Sequence, residues 1–148
     1  MKEYADIYTK SLTEAADASE HMMWRKSFRE NVHCAMAIER AISDNFDGYR
    51  LNDSCADRVV TEYGLDRVKW VLAATIQEAE HDGRFSRENK AWASELPVPK
   101  DDMKYAICVK SHPGLTDIFT NIVRDIEESE DEVEDDVESD DMTMGGMQ

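Results

Sequence analysis

Hydrophobic residues recur every three or four positions along most of the first 126 residues, which is the spacing of one face of an α-helix. The spacing is clearest from Leu65 to Ala79, where the pair Asp82-Gly83 follows as a stop signal. A longer stripe begins at Trp24 and ends at Ile42, and it predicts a helix over about residues 19–44. These two segments predict the main helices of the protein.

Shorter helices are predicted where a capping residue precedes a brief apolar series. The polar cluster at residues 52–54 precedes one that ends at Gly64, and Ser86 caps another that carries Trp92. An opening helix is predicted over about residues 3–18, because aromatic and aliphatic residues recur there at helical spacing.

The last third of the chain combines one ambiguous segment with one clear helix. Residues 104–109 have the β-branched and aromatic content of a short strand, although no hairpin partner follows. A final helix from Leu115 carries its apolar stripe to Ile126, directly into an acidic run. The predicted fold class is mainly α, with one compact multi-helix domain over residues 1–126. Residues 127–148 are predicted to form an acidic extension that is disordered or is ordered by a partner.

Charge is distributed unevenly between the body and this extension. Residues 125–141 hold 12 carboxylates and no Lys or Arg, while the whole chain has 33 carboxylates and 17 Lys or Arg residues. Subtracting those 12 carboxylates leaves a net charge of −4, against −16 for the whole chain. A polyanion attached to a nearly balanced body points to a basic partner, such as a nucleic-acid-binding protein.

The conformation of the acidic run decides how closely it can imitate DNA. As a helix it would present one carboxylate about every 2 Å, near the one charge per ~1.7 Å of B-DNA. As an extended chain it would present one carboxylate about every 5 Å. The candidate partner-binding residues are the carboxylates of this run, namely Glu127, Glu128, Glu130, Asp131, Glu132, Glu134, Asp135, Asp136 and Glu138.

A small basic cluster on the second predicted helix is the other candidate surface. Arg25, Lys26 and Arg29 fall on one side of that helix and are candidate contacts for phosphate or for a partner. A solubilising helix face explains them without any ligand, and we favour that interpretation. Direct DNA binding would also have to overcome repulsion from the acidic run.

No motif for catalysis, for a metal or for a cofactor occurs in the sequence, so we expect a non-enzymatic protein that needs neither. Cys34, Cys55 and Cys108 lack paired spacing and are expected to be buried, reduced thiols. The chain has no apolar run of about 18 residues and no apolar leader, which predicts a cytoplasmic protein that does not enter a membrane. The oligomeric state stays open.

Two segments, residues 82–93 (DGRFSRENKAWA) and 111–119 (SHPGLTDIF), resemble a family of small, mostly uncharacterised proteins from mobile genetic elements of gut Firmicutes. The resemblance extends over about two-thirds of the body. Proteins in that setting often protect incoming DNA, and some Cas9 inhibitors look similar. The resemblance therefore implies an anti-CRISPR protein that binds a guide-loaded Cas9-type nuclease and blocks its DNA or PAM binding, partly by acidic DNA mimicry.

Two alternatives remain open from the sequence. One is a DNA-binding accessory or regulatory protein of a mobile element, which would use Arg25, Lys26 and Arg29. The other is a structural or partner-docking module with no role in defence. Binding to plain duplex DNA separates the first alternative from the inhibitor, because a DNA mimic should not bind DNA.

Overall fold

The structure, a computed structural model, describes residues 4–100 and 103–140, with residues 131–140 described as backbone alone. The described chain is mainly helical, as predicted, and forms one domain. Its five α-helices are α1 (Ala18–Asn45), α2 (Asp57–Tyr63), α3 (Leu65–Glu78), α4 (Arg87–Ser94) and α5 (Pro113–Asp140). None of the helices in these ranges is long and apolar enough to cross a membrane.

Helix α3 forms the centre of the domain. Every residue from Arg67 to Ile76 except Lys69 is buried. A helix that is buried on nearly all sides requires neighbours on each side, and α1, α2, α4 and α5 supply them. Helix α1 contributes one apolar face, and α5 contributes Phe119 and Val123, both fully buried.

Two of the predicted helix-end signals hold, at Ser86 and Gly64. The predicted cap at residues 52–54 is wrong, because α2 begins after Ala56 and no side chain caps it. The Ser86 side chain accepts a hydrogen bond from the Asn89 amide (3.1 Å) and so begins α4. Gly64 separates α2 from α3 with φ of +89° and ψ of 144°, a conformation that is essentially limited to glycine. A Cβ atom at Gly64 would also lie only 3.0 Å from the ring of Tyr4. The junction of α2 and α3 therefore requires glycine for two separate reasons.

The predicted opening helix over residues 3–18 is wrong for its described part. A short 3-10 turn at Leu12–Glu14 is the only helical piece between residues 4 and 17. The carbonyl oxygens of Ala5 and Asp6 accept hydrogen bonds from Arg67, and the Tyr8 amide donates to the Ser27 hydroxyl. Because these backbone groups are bound by α1 and α3, they are not available for hydrogen bonds within a helix.

The short strand considered for residues 104–109 is also absent. Lys104–Ile107 forms a 3-10 turn, and no strand occurs in the described ranges, where Phe46 and Leu51 form an isolated bridge. The Val109 amide donates to the Thr75 hydroxyl of α3 (2.9 Å). A side chain of the central helix thus takes the place of a pairing strand.

Helix α5 runs without a break through the domain boundary predicted at residue 126. Its first half packs on the core through Phe119, Val123 and Ile126. Its backbone stays helical through the acidic run to Asp140. The rest of the predicted extension, residues 141–148, lies outside the described part of the chain.

Candidate functional site

The outer face of α1 is a stripe of exposed basic and methionine side chains. At about 100° per residue, the stripe occupies an arc of about 100° on the helix. The buried positions of α1, such as Cys34 and Ile38, lie on the opposite side, against the core. The exposed members are Met22, Arg25, Lys26, Arg29, His33, Met36 and Arg40.

Two carboxylates flank this basic face at i+4 spacing, Glu30 after Lys26 and Asp44 after Arg40. None of its Arg and Lys side chains forms an ion pair with any described residue. The arc contains no carboxylate between Met22 and Ser43. From Arg25 to Arg40 the face is about 22 Å long, at ~1.5 Å per residue. Arg25, Lys26 and Arg29 lie together on it, as predicted, and the helical period also places Arg40 there, which our sequence reasoning missed.

The second candidate surface begins where α5 leaves the core. Arg124, the last cation in the chain, donates to the side-chain oxygen of Asn89 on α4 (2.9 Å). Beyond Arg124 the helix carries only neutral and acidic residues. The one Arg of α5 is therefore bound to the body, and the carboxylates that follow it are not balanced by cations of the same helix.

A hydrogen-bond network around Asn89 fixes the direction in which α5 leaves the body. Asn89 is fully buried, and its side-chain nitrogen donates to Asp117 (2.7 Å) and to Asn121 (2.9 Å) of α5. The Asp117 carboxylate also accepts from the Ser86 amide (2.9 Å). Asn89 lies in residues 82–93 and Asp117 in residues 111–119, so these two segments meet in the structure. Neither residue was singled out by our sequence analysis, because the contact joins residues 28 positions apart.

Glu127 is an anchor of α5 on the body. One of its carboxylate oxygens is bound to the ammonium group of Lys69, and the other accepts a hydrogen bond from the Trp92 indole (3.3 Å). Lys69 and Glu127 are 20% and 30% exposed, so their attraction is only partly screened. Glu127, predicted as a partner-binding carboxylate, therefore binds residues of α3 and α4 in its own chain.

The acidic arm, defined here as residues 128–140, follows this anchor. It holds nine carboxylates in 13 residues and no cation, and its backbone is helical throughout. Glu128 and Glu130 are exposed. At ~1.5 Å per residue the arm is about 20 Å long and carries one carboxylate about every 2 Å. The side chains of the other predicted residues lie outside the described part, namely Asp131, Glu132, Glu134, Asp135, Asp136 and Glu138.

The thiols are buried and free, as predicted. Burial raises the pKa of Cys34 to about 12 and those of Cys55 and Cys108 to about 11. A thiol with such a pKa is almost entirely protonated near neutral pH, and the thiolate is the nucleophilic form. In the described part of the chain, no group of three or more His, Cys, Asp or Glu residues is placed to hold a metal ion.

Residues 7–128 match the DUF3849 family, which is described as proteins of unknown function. The chain belongs to the DUF3849 family. The match includes the basic face of α1, the Asn89 network and the Glu127 anchor, and it ends at the first residue of the acidic arm. Membership of DUF3849 therefore concerns the body and says nothing of the arm. No curated protein and no solved structure matches the chain.

Proposed function

We propose that this protein is a non-enzymatic inhibitor of a DNA-targeting nuclease and that it binds the nuclease through the acidic arm. The observation that carries the proposal is a helical backbone with nine carboxylates in 13 residues, rooted on the body at Glu127. The sequence resemblance favours a guide-loaded Cas9-type effector as the target. The body serves in this proposal as the platform that presents the arm.

The mechanism follows from charge spacing. A nuclease of this class holds DNA in a positively charged channel and reads the PAM with arginine side chains. An acidic helix with one charge about every 2 Å approaches the charge density of duplex DNA and competes for the same cations. Carboxylates at i and i+4 repel one another on a free helix, and the basic channel would remove that repulsion. The partner therefore stabilises the conformation that it binds.

Truncation after Glu127 is the direct test, because it removes the arm and keeps the anchor that joins α5 to α3 and α4. We expect the full chain to bind a guide-loaded Cas9-type nuclease and to slow its DNA cleavage. Inhibition should weaken as salt rises, since exposed charges are screened. The truncated chain should lose most of this inhibition and its salt dependence.

A charge-matched pair of variants distinguishes the effect of the arm on binding from the effect of net charge. The arm variant replaces Glu130, Glu132, Glu134 and Glu138 by Gln. The body variant replaces the exposed residues Glu78, Glu80, Glu88 and Glu95 by Gln. At about 0.4 kcal/mol for each charge, the arm variant should bind about tenfold or more weakly, while the body variant should change affinity less than about twofold. Equal losses in both variants would show that net charge, rather than the arm, sets the affinity.

The absence of binding to the guide-loaded nuclease, at both low and physiological salt, rejects Cas9 inhibition. If the truncated chain inhibits as well as the full chain, the arm is not the inhibitory element. Duplex DNA should compete with the full chain for the nuclease, and failure to compete would place the contact outside the DNA channel.

The basic face of α1 supports a second candidate, DNA binding by a regulatory protein of a mobile element. The supporting observation is an exposed, unpaired row of cations opposite the buried face of α1. A gel shift with plain duplex DNA should then detect a complex, and joint replacement of Arg25, Lys26 and Arg29 by Gln should abolish it. Joint replacement of the exposed cations Arg50, Arg58 and Arg87 by Gln is the matched control. The inhibitor proposal expects no DNA complex with any of these proteins.

A further inference from the structure

The basic face of α1 carries exposed methionines as well as cations. Met22 and Met36 are 71% and 53% exposed, and they share the arc of the helix that holds Arg25, Lys26 and Arg29. Methionine and arginine are enriched where proteins bind one another, because a methionine side chain adapts its shape to a partner and arginine supplies several donors. A face that only keeps a helix in solution has no need of methionine. The composition of the basic face therefore favours a protein partner.

The charge and length of the basic face define what this partner must present. The arc has four cations and is about 22 Å long, and the flanking carboxylates Glu30 and Asp44 are outnumbered by those cations. A helix of similar length with a row of carboxylates is the complement of such a face. The acidic arm has nine carboxylates over about 20 Å of helix. The chain itself thus carries a helix that matches its own basic face in length and is opposite in charge.

The arm of a molecule is not placed to lie along the basic face of that same molecule. Helix α5 is held on the core by Phe119 and Val123, whereas the basic face lies on the side of α1 away from the core. The backbone of α5 is helical from the anchor at Glu127 to Asp140, and residues 115–140 include no Gly or Pro at which a helix commonly kinks. The arm therefore continues the direction of α5 away from the body, where a second molecule can meet it.

We propose that the acidic arm of one molecule binds the basic face of α1 in a second copy of this chain. Two copies that exchange arms use both arms and both basic faces, so the assembly closes as a symmetric dimer. The exchange leaves the Glu127 anchor and the packing of α5 on the core in place. This assignment goes beyond the proposed inhibitor function and does not depend on it, because self-association requires no nuclease.

Analytical ultracentrifugation of the full chain at two salt concentrations tests self-association. Each copy has a net charge of −16, which opposes association at very low salt. At about 0.15 M salt the screening length is about 8 Å, so distant charges are screened while pairs in contact still attract. We expect the average mass to rise from one copy toward two as the protein concentration rises, and to return to one copy at about 1 M salt. A protein that stays monomeric at every soluble concentration, or a dimer that persists at about 1 M salt, would overturn the proposal.

Full-chain variants test which surfaces form the contact. The face variant replaces Arg25, Lys26 and Arg29 by Gln, and the arm variant is the one described above. Each should dimerise at least about tenfold more weakly than the parent. Joint replacement of the exposed cations Arg50, Arg58 and Arg87 by Gln is the matched control and should change the dimer Kd less than about twofold. A loss in the control equal to that in the face variant would contradict a role of the basic face.

A mixture of the face variant and the arm variant distinguishes a specific contact from an effect of net charge. The face variant keeps an intact arm, and the arm variant keeps an intact basic face, so one contact of the mixed dimer retains all its charges. Because the other contact loses the same pairs from both sides, the mixed dimer should form about tenfold more tightly than either variant alone. Net charge by itself would give the mixture a value between those of the two variants. Such an intermediate value would overturn the proposal.

Zero-length cross-linking with a carbodiimide locates the contact. This reagent joins an amine to a carboxylate that touches it, and Lys26 is the exposed amine of the basic face. In an equal mixture of unlabelled and 15N-labelled protein, mass spectrometry should find Lys26 joined to residues 128–140 with both isotopes in one product. Products of a single isotope would place the arm on its own molecule and overturn the proposal. A basic face that binds duplex DNA while the protein stays monomeric would overturn it as well.

Discussion

Replacement of Phe119 by Ala tests whether α5 is an integral part of the domain. Phe119 is fully buried on α5, and it belongs to the same core cluster as Val68 and Leu72 of α3. If α5 packs as the structure shows, the loss of this ring must destabilise the whole domain. If α5 were an appended arm from its first turn, the substitution would affect only local helix content.

The expected loss can be worked from the burial of the ring. Transfer of a fully buried Phe side chain back to water accounts for about 2–3 kcal/mol. The cavity that Ala leaves raises the total to about 3–5 kcal/mol. A domain of this size has an unfolding free energy of about 5–15 kcal/mol, so the substitution removes a large part of its stability. Ile118→Ala is the matched control, because the neighbouring Ile118 is 42% exposed and should cost less than about 1 kcal/mol.

Urea unfolding followed by circular dichroism and tryptophan fluorescence measures both values. The two probes should report one transition with the same midpoint, shifted to lower urea in Phe119→Ala. A loss below about 1 kcal/mol, or a loss equal to that of Ile118→Ala, would refute the packing of α5 on α3. If Phe119→Ala does not fold, the milder Phe119→Leu keeps the comparison measurable, at a cost of about 1–2 kcal/mol.

Three further outcomes are expected. Gly64→Ala should lower the unfolding free energy, measured in urea, by about 2–3 kcal/mol. Gly83→Ala is the control: its new Cβ meets no atom within 4 Å, so the unfolding free energy should change by less than about 0.5 kcal/mol. Equal effects of the two substitutions would contradict a requirement for glycine at the junction of α2 and α3. Hydrogen bonds from Arg84 lower the pKa of Asp82 to about 2. The stability from this pair is therefore full above about pH 4 and is lost as the pH falls to about 2. Urea curves of the parent and of Asp82→Asn should converge over that window, and a constant gap would contradict it. Because burial raises the pKa of Cys34 to about 12, this thiol should resist iodoacetamide in the folded protein. Mass spectrometry of the labelled protein measures this, and rapid labelling of the native protein would contradict the burial of Cys34.

Local signals predicted the helices whose own residues stabilise them. Helix α3 was predicted over nearly its observed length because its apolar residues repeat at helical spacing. The Ser86 cap and the Gly64 stop were found because capping and positive φ depend on one or two neighbouring residues. The charge of the acidic run was also visible from the sequence, since it requires only the order of the residues.

The two wrong predictions share one physical cause. Both segments have apolar spacing that suits a regular element, but their backbone groups bind side chains that are distant in sequence. Arg67 binds the carbonyl of Ala5, 62 positions away, and Thr75 binds the amide of Val109, 34 positions away. No local pattern reports such contacts, because they depend on how the finished helices are placed.

The candidate surfaces also combine features that the sequence predicts with features that only tertiary packing decides. The basic residues of α1 and the acids of α5 could be read from helical periodicity and composition, which are properties of the chain alone. Only the tertiary structure decided that Glu127 binds Lys69 and Trp92 and that Asn89 joins α4 to α5. The reason is that periodicity places a side chain on a face of its own helix, whereas packing decides which residue of another element that face meets.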